Sequence, residues 1–185
     1  GPYLIQLDIR QESGRHCSVL SAITQTLEIG DYNDWTEEQR VTWLRAELAN
    51  PRPLIPRGCR FDAKDQEVLE TFGIIAATPP AALGAYVISM ASSVSDVLAV
   101  QLLLKSTECS LQMQVVPLFE TLSDLQGAAS VVDALLKDDQ YRARINGKIM
   151  VMIGYSDSAK DAGMLAAGWA QYRAQESLLQ TCESH

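Results

Sequence analysis

The sequence predicts an α/β protein built on parallel strands, and three observations support this class. Four apolar runs rich in Ile, Val, Leu and Tyr are typical of buried strands: YLIQLDI (3–9), AYVISM (85–90), VVPLF (115–119) and IMVMIGY (149–155). The segments after these runs repeat apolar residues at three- and four-residue spacing, which is the period of a helix. Each run also ends in polar residues. This alternation favours either a doubly wound sheet or part of a (β/α)8 barrel. The four predicted strands would be half of the eight strands of such a barrel.

A long helical segment separates the first two predicted strands. Its apolar periodicity and proline-rich breaks predict several helices and no strand between about residues 13 and 80. We expect this segment to be an insert that decorates the sheet or barrel.

Composition excludes several classes of protein. The chain has 185 residues, 47% of them hydrophobic, and a net charge of −8, which argues against a general nucleic-acid or anionic-membrane binder. An apolar run of the roughly 20 residues that span a bilayer does not occur. The four cysteines at 17, 59, 109 and 182 are far apart, which predicts reduced thiols and a cytoplasmic setting. With two histidines, a histidine-rich metal site is not expected.

Polar side chains gather at the predicted carboxyl ends of the strands. They are Asp8, Arg10, Glu12, Ser89, Glu120, Asp157 and Lys160. Parallel sheets keep their chemistry at this edge, where two carboxylates suit Mg²⁺ or Mn²⁺. An arginine and a lysine at the same edge suit a phosphate or carboxylate ligand. The pattern predicts a metal-assisted site for a small phosphorylated acid.

Each of these residues also has a purely structural interpretation. Ser156 or Asp157 could cap the helix that follows, and Glu120 could offset the dipole of its own following helix. Arg10 could belong to a surface ion network with a nearby carboxylate, and Lys160 could be a solvated helix residue. On spacing alone these alternatives stay open.

Four further residues are assigned structural roles. His16 is predicted to be a structural or exposed histidine and not a metal ligand. The three tryptophans, Trp35, Trp43 and Trp169, fit helix packing better than a stacking platform.

Several long motifs resemble the central barrel region of the phosphoenolpyruvate carboxylase family, most closely the bacterial enzymes. These motifs are LDIRQES.RH, VSDVLAV, VPLFETLSDL, VMIGYSDSAKDAG and WAQYRAQESL. They occur in order from about Leu7 onward, and motifs of this length seldom arise by chance. The resemblance implies that residues 1–185 are a single fragment of the (β/α)8 barrel of such an enzyme.

The resemblance also implies a reaction and a set of roles. The family adds bicarbonate to phosphoenolpyruvate and gives oxaloacetate and phosphate, as a cytoplasmic, homotetrameric carboxy-lyase. By this likeness Glu120 and Asp157 would hold Mg²⁺ or Mn²⁺, Arg10 would grip the substrate phosphate, and Lys160 would lie beside the substrate. Homo-oligomerisation of this chain is expected as well.

The chain departs from the family pattern in two places that matter for catalysis. It contains neither the histidine segment of the TAHPTE type nor the glycine-rich loop of the GRGGS type. Gly14 also stands where the family more usually has threonine. We therefore expect the chain to be inactive alone. Two alternatives are a non-catalytic barrel-derived binding or assembly module, and a complete small metal-dependent lyase that uses His16 or a carboxylate as its base.

Overall fold

The computed structural model describes residues 4–107 and 113–185, so Tyr3 of the first predicted strand and Cys109 lie outside the described residues. Within these ranges the chain forms four strands: β1 (Leu7–Glu12), β2 (Leu83–Ser89), β3 (Gln114–Phe119) and β4 (Met152–Ile153). The described α-helices are α1 (Ser13–Thr26), α2 (Glu37–Ala49), α3 (Ala63–Ala77), α4 (Val94–Ser106), α5 (Leu122–Leu136), α6 (Asp139–Ile145), α7 (Ser156–Ala162) and α8 (Met164–Glu183). Short 3₁₀ turns occupy Tyr32–Asp34 and Pro80–Ala82.

The strands form one sheet in the order β1-β2-β3-β4, and all neighbouring pairs are parallel. A doubly wound sheet reverses its strand order at a switch point, whereas successive βα units of a barrel lie side by side in chain order. The α/β class is therefore confirmed, and the strand order is that of part of a (β/α)8 barrel.

The two faces of the sheet carry different layers. Tyr86 and Ile88 of β2 join the large core that the helices cover, whereas Ala85 and Val87 belong to a separate apolar cluster on the opposite face. Arg10 is paired in register with Val87. Because side chains alternate along a strand, Arg10 lies on the face opposite the helices, which is the inner face of a barrel.

Two predicted strand boundaries were wrong. The first strand was predicted at 3–9, but β1 runs to Glu12, while Leu4 and Ile5 before it are 96% and 72% exposed. A register shift follows Leu7, where the Asp8 carboxylate accepts a hydrogen bond from the Ala85 amide at 2.8 Å. The fourth strand was predicted at 149–155, but only two residues form β4. Apolar composition predicts burial, and here Ile149 is partly buried by side-chain packing without strand pairing.

The segment predicted to be a helical insert does form helices α1, α2 and α3. They pack directly on the sheet: Phe72 of α3 stacks on Tyr86 of β2 with ring centroids 5.2 Å apart. Trp35 and Trp43 pack against each other and the core, as predicted. The boundaries of the insert as a unit stay a prediction.

Helix α8 places its large and small residues on opposite faces. Ala167, Ala170, Ala174 and Leu178 are buried, and α8 packs against α5 along this small-residue face. The outer face carries Trp169, which is 65% exposed and stacks on Tyr172. The predicted packing role of Trp169 was therefore wrong, because alanines and not aromatics allow the close approach to α5.

Among the helices described here, not one has the length and apolar character needed to cross a bilayer.

Candidate active site at the carboxyl ends of the strands

Glu120 follows β3 directly and is the most buried member of the predicted site, with 5% of its surface exposed. Its Oε1 accepts a hydrogen bond from the Met90 amide at 2.9 Å, and its Oε2 accepts one from Arg10 Nη2 at 3.3 Å. Thr121 and not Glu120 caps helix α5, through a hydrogen bond from the Asp124 amide. The dipole interpretation of Glu120 therefore fails, since its carboxylate points to β1 and β2.

The Met90 amide is aimed at Glu120 by an unusual backbone conformation. Met90 has φ of +55°, a left-handed value that L-residues with side chains seldom adopt. Ser13, the first residue of α1, donates its hydroxyl to the Met90 carbonyl at 2.9 Å. The Met90 backbone is thus held both at its N–H, which bonds to Glu120, and at its carbonyl, which bonds to Ser13.

Arg10 on β1 reaches across β2 to Glu120 at the end of β3. The side chains lie on the same face of the sheet, and the parallel pairing of β1, β2 and β3 brings residues 110 positions apart within 3.3 Å. The Arg10 side chain remains 54% exposed, so part of its guanidinium is free to meet an anion. The partner of Arg10 is Glu120 and not one of the carboxylates on β1.

Asp157 and Lys160 lie on α7, one turn apart. Lys160 Nζ donates to Asp157 Oδ1 at 3.1 Å. This hydrogen bond and the lysine charge hold the pKa of Asp157 below its ordinary value, and smaller contributions to the lowered pKa come from hydrogen bonding with Glu120 and from the charge of Arg10. The four predicted site residues therefore share one neighbourhood.

Asp157 does not cap α7. Tyr155 occupies the N-cap position, and a side-chain capping bond is absent at this start of the described helix. The Asp157 side chain is 50% exposed, and that of Lys160 is 77% exposed. The capping interpretation of Asp157 therefore fails, and both charged groups are accessible to a ligand.

Gly154 lets β4 approach Glu120 closely. A Cβ atom at this position would lie 2.6 Å from the Cβ of Glu120, closer than any tolerated contact. The Gly154 amide donates to the Phe119 carbonyl at 2.9 Å, which extends the pairing of β3 with β4 past Ile153. Glycine at 154 is thus required for the two carboxylate-bearing segments to meet.

The donor set fits a hard divalent cation held by few protein ligands. Carboxylates that lie close together repel each other, and a cation between them removes this repulsion. Mg²⁺ and Mn²⁺ accept one or two carboxylates and complete their coordination with water or substrate oxygens. In the described part of the chain, clusters of three or more metal-ligating side chains do not occur. Glu120 and Asp157 could therefore supply only part of a coordination shell.

The remaining predicted residues and His16 have structural partners. Asp8 was predicted at the carboxyl edge of the sheet, which was wrong: it is the second residue of β1, and its carboxylate accepts a hydrogen bond from the Ala85 amide near the start of β2. Glu12 and Ser89 are register partners at the carboxyl ends of β1 and β2. His16 is buried, with its Nε2 2.8 Å from the Tyr86 hydroxyl, as expected for a structural histidine.

Sequence reasoning missed the groups that support the site. The Met90 amide carries no side-chain signal, and the hydrogen bond from Ser13 to the Met90 carbonyl joins residues that are far apart in the sequence. Gly154 could have been noticed, since a glycine inside an apolar strand pattern often marks a close backbone approach. Ser158 and Gln171, described below, carry no pattern that would have singled them out.

The fold and these strand-end groups are those of a parallel α/β barrel segment with a polar site at the carboxyl ends of its strands. The family model for phosphoenolpyruvate carboxylase matches residues 1–185, and the chain belongs to this family. Its sequence is 56% identical over 185 residues to the phosphoenolpyruvate carboxylase of Stutzerimonas stutzeri (strain A1501) and to that of Ectopseudomonas mendocina (strain ymp). It is 55% identical over 183 residues to the enzyme of Vibrio vulnificus (strain CMCP6), covering 99% of this chain. The chain spans only 21% of the length of these curated relatives.

Proposed function

We propose that this chain supplies the metal-binding and phosphate-binding part of a phosphoenolpyruvate carboxylase active site. The observation that carries the proposal is the position of Glu120, whose buried carboxylate meets Arg10 and the Met90 amide and lies near Asp157. Family membership over the whole chain supports the same assignment.

In the proposed reaction a bicarbonate oxygen attacks the phosphorus of phosphoenolpyruvate. The bond from phosphorus to the enol oxygen breaks, its electron pair stays on that oxygen, and the products are carboxyphosphate and an enolate. The bond between the carboxyl carbon and the bridging oxygen of carboxyphosphate then breaks, and its electron pair leaves with phosphate. The enolate carbon bonds to the carbon dioxide so released and gives oxaloacetate. Negative charge grows on oxygen atoms in the first step, so fixed cations at the site stabilise its transition state.

Each of the four residues has a defined part in this proposal. Arg10 would grip two oxygens of the phosphate with its exposed guanidinium, and Lys160 would stabilise charge beside the substrate. Glu120 and Asp157 would hold Mg²⁺ or Mn²⁺. The cation, when bound, would stabilise the charge that develops on substrate oxygens.

A chimeric enzyme tests this function. The matching segment of the Stutzerimonas stutzeri enzyme is replaced by residues 1–185 of this chain, and oxaloacetate formation from phosphoenolpyruvate and bicarbonate is measured with Mg²⁺ or Mn²⁺. We expect an active chimera that Glu120→Gln inactivates and that the exposed control Glu38→Gln leaves active. A chimera that folds and assembles like its parent but makes no oxaloacetate, or one that Glu120→Gln leaves active, would overturn the proposal.

We also propose that the isolated chain has no carboxylase activity. The sequence contains neither the histidine segment nor the glycine-rich loop that the family uses, and loss of several groups that act together removes most transition-state stabilisation. Oxaloacetate production by the purified chain would contradict this and would favour the complete small lyase. A metal-binding but inactive chain whose chimera is also inactive would favour the binding or assembly module.

A cytoplasmic location belongs to the same proposal and rests on the family resemblance and the dispersed cysteines.

Self-association of the chain is a further part of the proposal. Strands β1 and β4 are the edges of the described sheet, and Leu7 on β1 is 60% exposed. Unpaired edge strands with apolar side chains are templates for pairing with another chain. Light scattering coupled to size exclusion should detect a dimer that Leu7→Lys weakens and that Ile74→Lys, at an exposed position on α3, does not. A monomer at all concentrations would contradict the proposal.

A further inference from the structure

Two polar side chains are buried behind the site. Gln171 of α8 is 5% exposed and Ser158 of α7 is 0% exposed. Gln171 Nε2 donates to Ser158 Oγ at 2.7 Å, and Ser158 Oγ donates to the Gly154 carbonyl at 2.6 Å. Burial of an amide and a hydroxyl is unfavourable unless their hydrogen bonds are made, and here both side chains bond to each other.

These hydrogen bonds end at the glycine that touches Glu120. The Gly154 amide is bonded to the Phe119 carbonyl of β3, and its carbonyl is bonded to Ser158. The backbone at Gly154 is therefore held on one side by the strand that carries Glu120 and on the other by the helix that carries Asp157. Asp157 is the residue immediately before Ser158.

Other supports of Asp157 are weak. Helix α7 has seven residues, begins without a side-chain cap and follows a strand of two residues. Its distal end is tied to α5 by Asp161, which accepts a hydrogen bond from the Leu122 amide at 2.9 Å in an exposed position. The first turn of α7 thus depends on the buried bonds from Gln171 and Ser158.

We propose that Gln171 and Ser158 are positioning residues that fix Asp157 relative to Glu120 and thereby set the affinity of the site for a divalent cation. They do not touch the cation or the substrate. The inference rests on the proposed function, because it assigns a metal to these two carboxylates. Removal of a group that hydrogen-bonds a metal ligand commonly changes metal affinity by about 10- to 100-fold, and Gln171 and Ser158 act through the backbone beside the ligand, so we expect the lower end of this range.

The test compares three variants of the 185-residue chain with the wild type. Gln171→Met removes the amide donor at nearly constant volume, and Ser158→Ala removes the hydroxyl. Leu178→Ala is the matched control, since it removes buried apolar volume from the same contact of α8 with α5 but leaves the hydrogen bonds in place. Mn²⁺ binding is titrated by electron paramagnetic resonance, and the thermal midpoint of each variant is recorded beside it.

We expect Gln171→Met and Ser158→Ala to raise the dissociation constant for Mn²⁺ about tenfold. Leu178→Ala should change it less than about twofold, even though it lowers the thermal midpoint. If Gln171→Met binds Mn²⁺ as tightly as the wild type, or if Leu178→Ala weakens binding equally, the positioning role is wrong.

Hydrogen exchange without metal separates this inference from the proposed function. The Ala159 amide bonds to the Tyr155 carbonyl in the first turn of α7. Its exchange should become about tenfold faster in Gln171→Met and stay near the wild-type rate in Leu178→Ala. Absence of Mn²⁺ binding in the wild type would overturn the metal site, and unchanged Ala159 exchange in Gln171→Met would overturn the positioning role.

Discussion

The two carboxylates of the site are carried by regions of very different construction. Glu120 follows β3, whose last five residues are all buried, and its side chain is 6% exposed. Asp157 lies on the short helix α7 after the two-residue strand β4, and its side chain is 50% exposed. One half of the site is therefore built into a packed body, and the other half is attached to it through few bonds.

This difference shows how a site can combine a fixed and an adjustable part. The buried Glu120 is held by a backbone amide and an arginine, so its carboxylate position is set before any ligand arrives. Buried hydrogen bonds of Ser158 and Gln171 hold the backbone beside Asp157, whereas the exposed side chains of Asp157 and Lys160 are paired with each other, so ligand binding can rearrange these side chains at low cost. We expect the N-terminal body through β3 to contribute most of the stability, whereas ligand affinity depends on Glu120 and on the segment from β4 onward.

The largest expected effect tests where the stability lies. Phe72→Ala in the large core should lower the free energy of unfolding by about 3–5 kcal/mol, because it removes a fully buried ring that stacks on Tyr86. Leu178→Ala in the α5–α8 contact should cost about 2 kcal/mol, since this side chain lies nearer the surface. Chemical denaturation measures both values. Equal losses would contradict the proposed division between the two regions.

The second prediction concerns pH and the buried histidine of the N-terminal body. Burial lowers the pKa of His16 to about 4 from its ordinary 6.5. The unfolded chain then binds more protons than the folded chain between these values, so the free energy of unfolding falls as pH drops from 6.5 toward 4. This group alone accounts for roughly 3 kcal/mol of that loss.

His16→Gln isolates the contribution of the histidine, because glutamine does not titrate in this range. The Tyr86 hydroxyl donates to Gln11 Oε1 at 2.6 Å, so it accepts from His16 Nε2, and a glutamine amide can replace that donor. As pH falls below 6.5, the wild type loses stability through His16 and the variant does not. The free energy of unfolding of the variant minus that of the wild type should therefore become more positive. Parallel pH profiles for the two proteins would show that His16 is not buried as described.

How much of this arrangement could be predicted from sequence differs between the two regions. The strand patterns at 85–90 and 115–119 gave nearly correct strands, because burial on both faces leaves a continuous apolar run. The run at 149–155 has the same composition but pairs over only two residues, since composition reports burial and not hydrogen bonding. The contacts of Glu120 with Met90 and Arg10 depend on register and on one left-handed residue, which no local pattern encodes.

The third prediction tests whether the exposed ion pair of the site stabilises the fold. The side chains of Lys160 and Asp157 are 77% and 50% exposed. An ion pair of such exposed groups contributes about 1 kcal/mol or less. Lys160→Gln should therefore change the free energy of unfolding by less than about 1 kcal/mol, as measured by urea denaturation. A much larger loss would mean that the ion pair is structural.

The smallest effect is expected on the outer face of α8. Trp169 is 65% exposed and stacks on Tyr172, so Trp169→Gln should change the free energy of unfolding by about 0.5 kcal/mol or less. Thermal unfolding followed by circular dichroism measures this change. A loss comparable to that of Leu178→Ala would show that the outer face is buried in solution.

The most direct test of the account is a Mn²⁺ titration of the 185-residue chain by electron paramagnetic resonance. Wild-type protein is compared with Glu120→Gln, Asp157→Asn and the exposed control Glu38→Gln. We predict weak binding at one site, because water must complete the coordination, with at least tenfold weaker binding in the first two variants and no change in the control. Equal Mn²⁺ binding in all four proteins would contradict a shared site of Glu120 and Asp157.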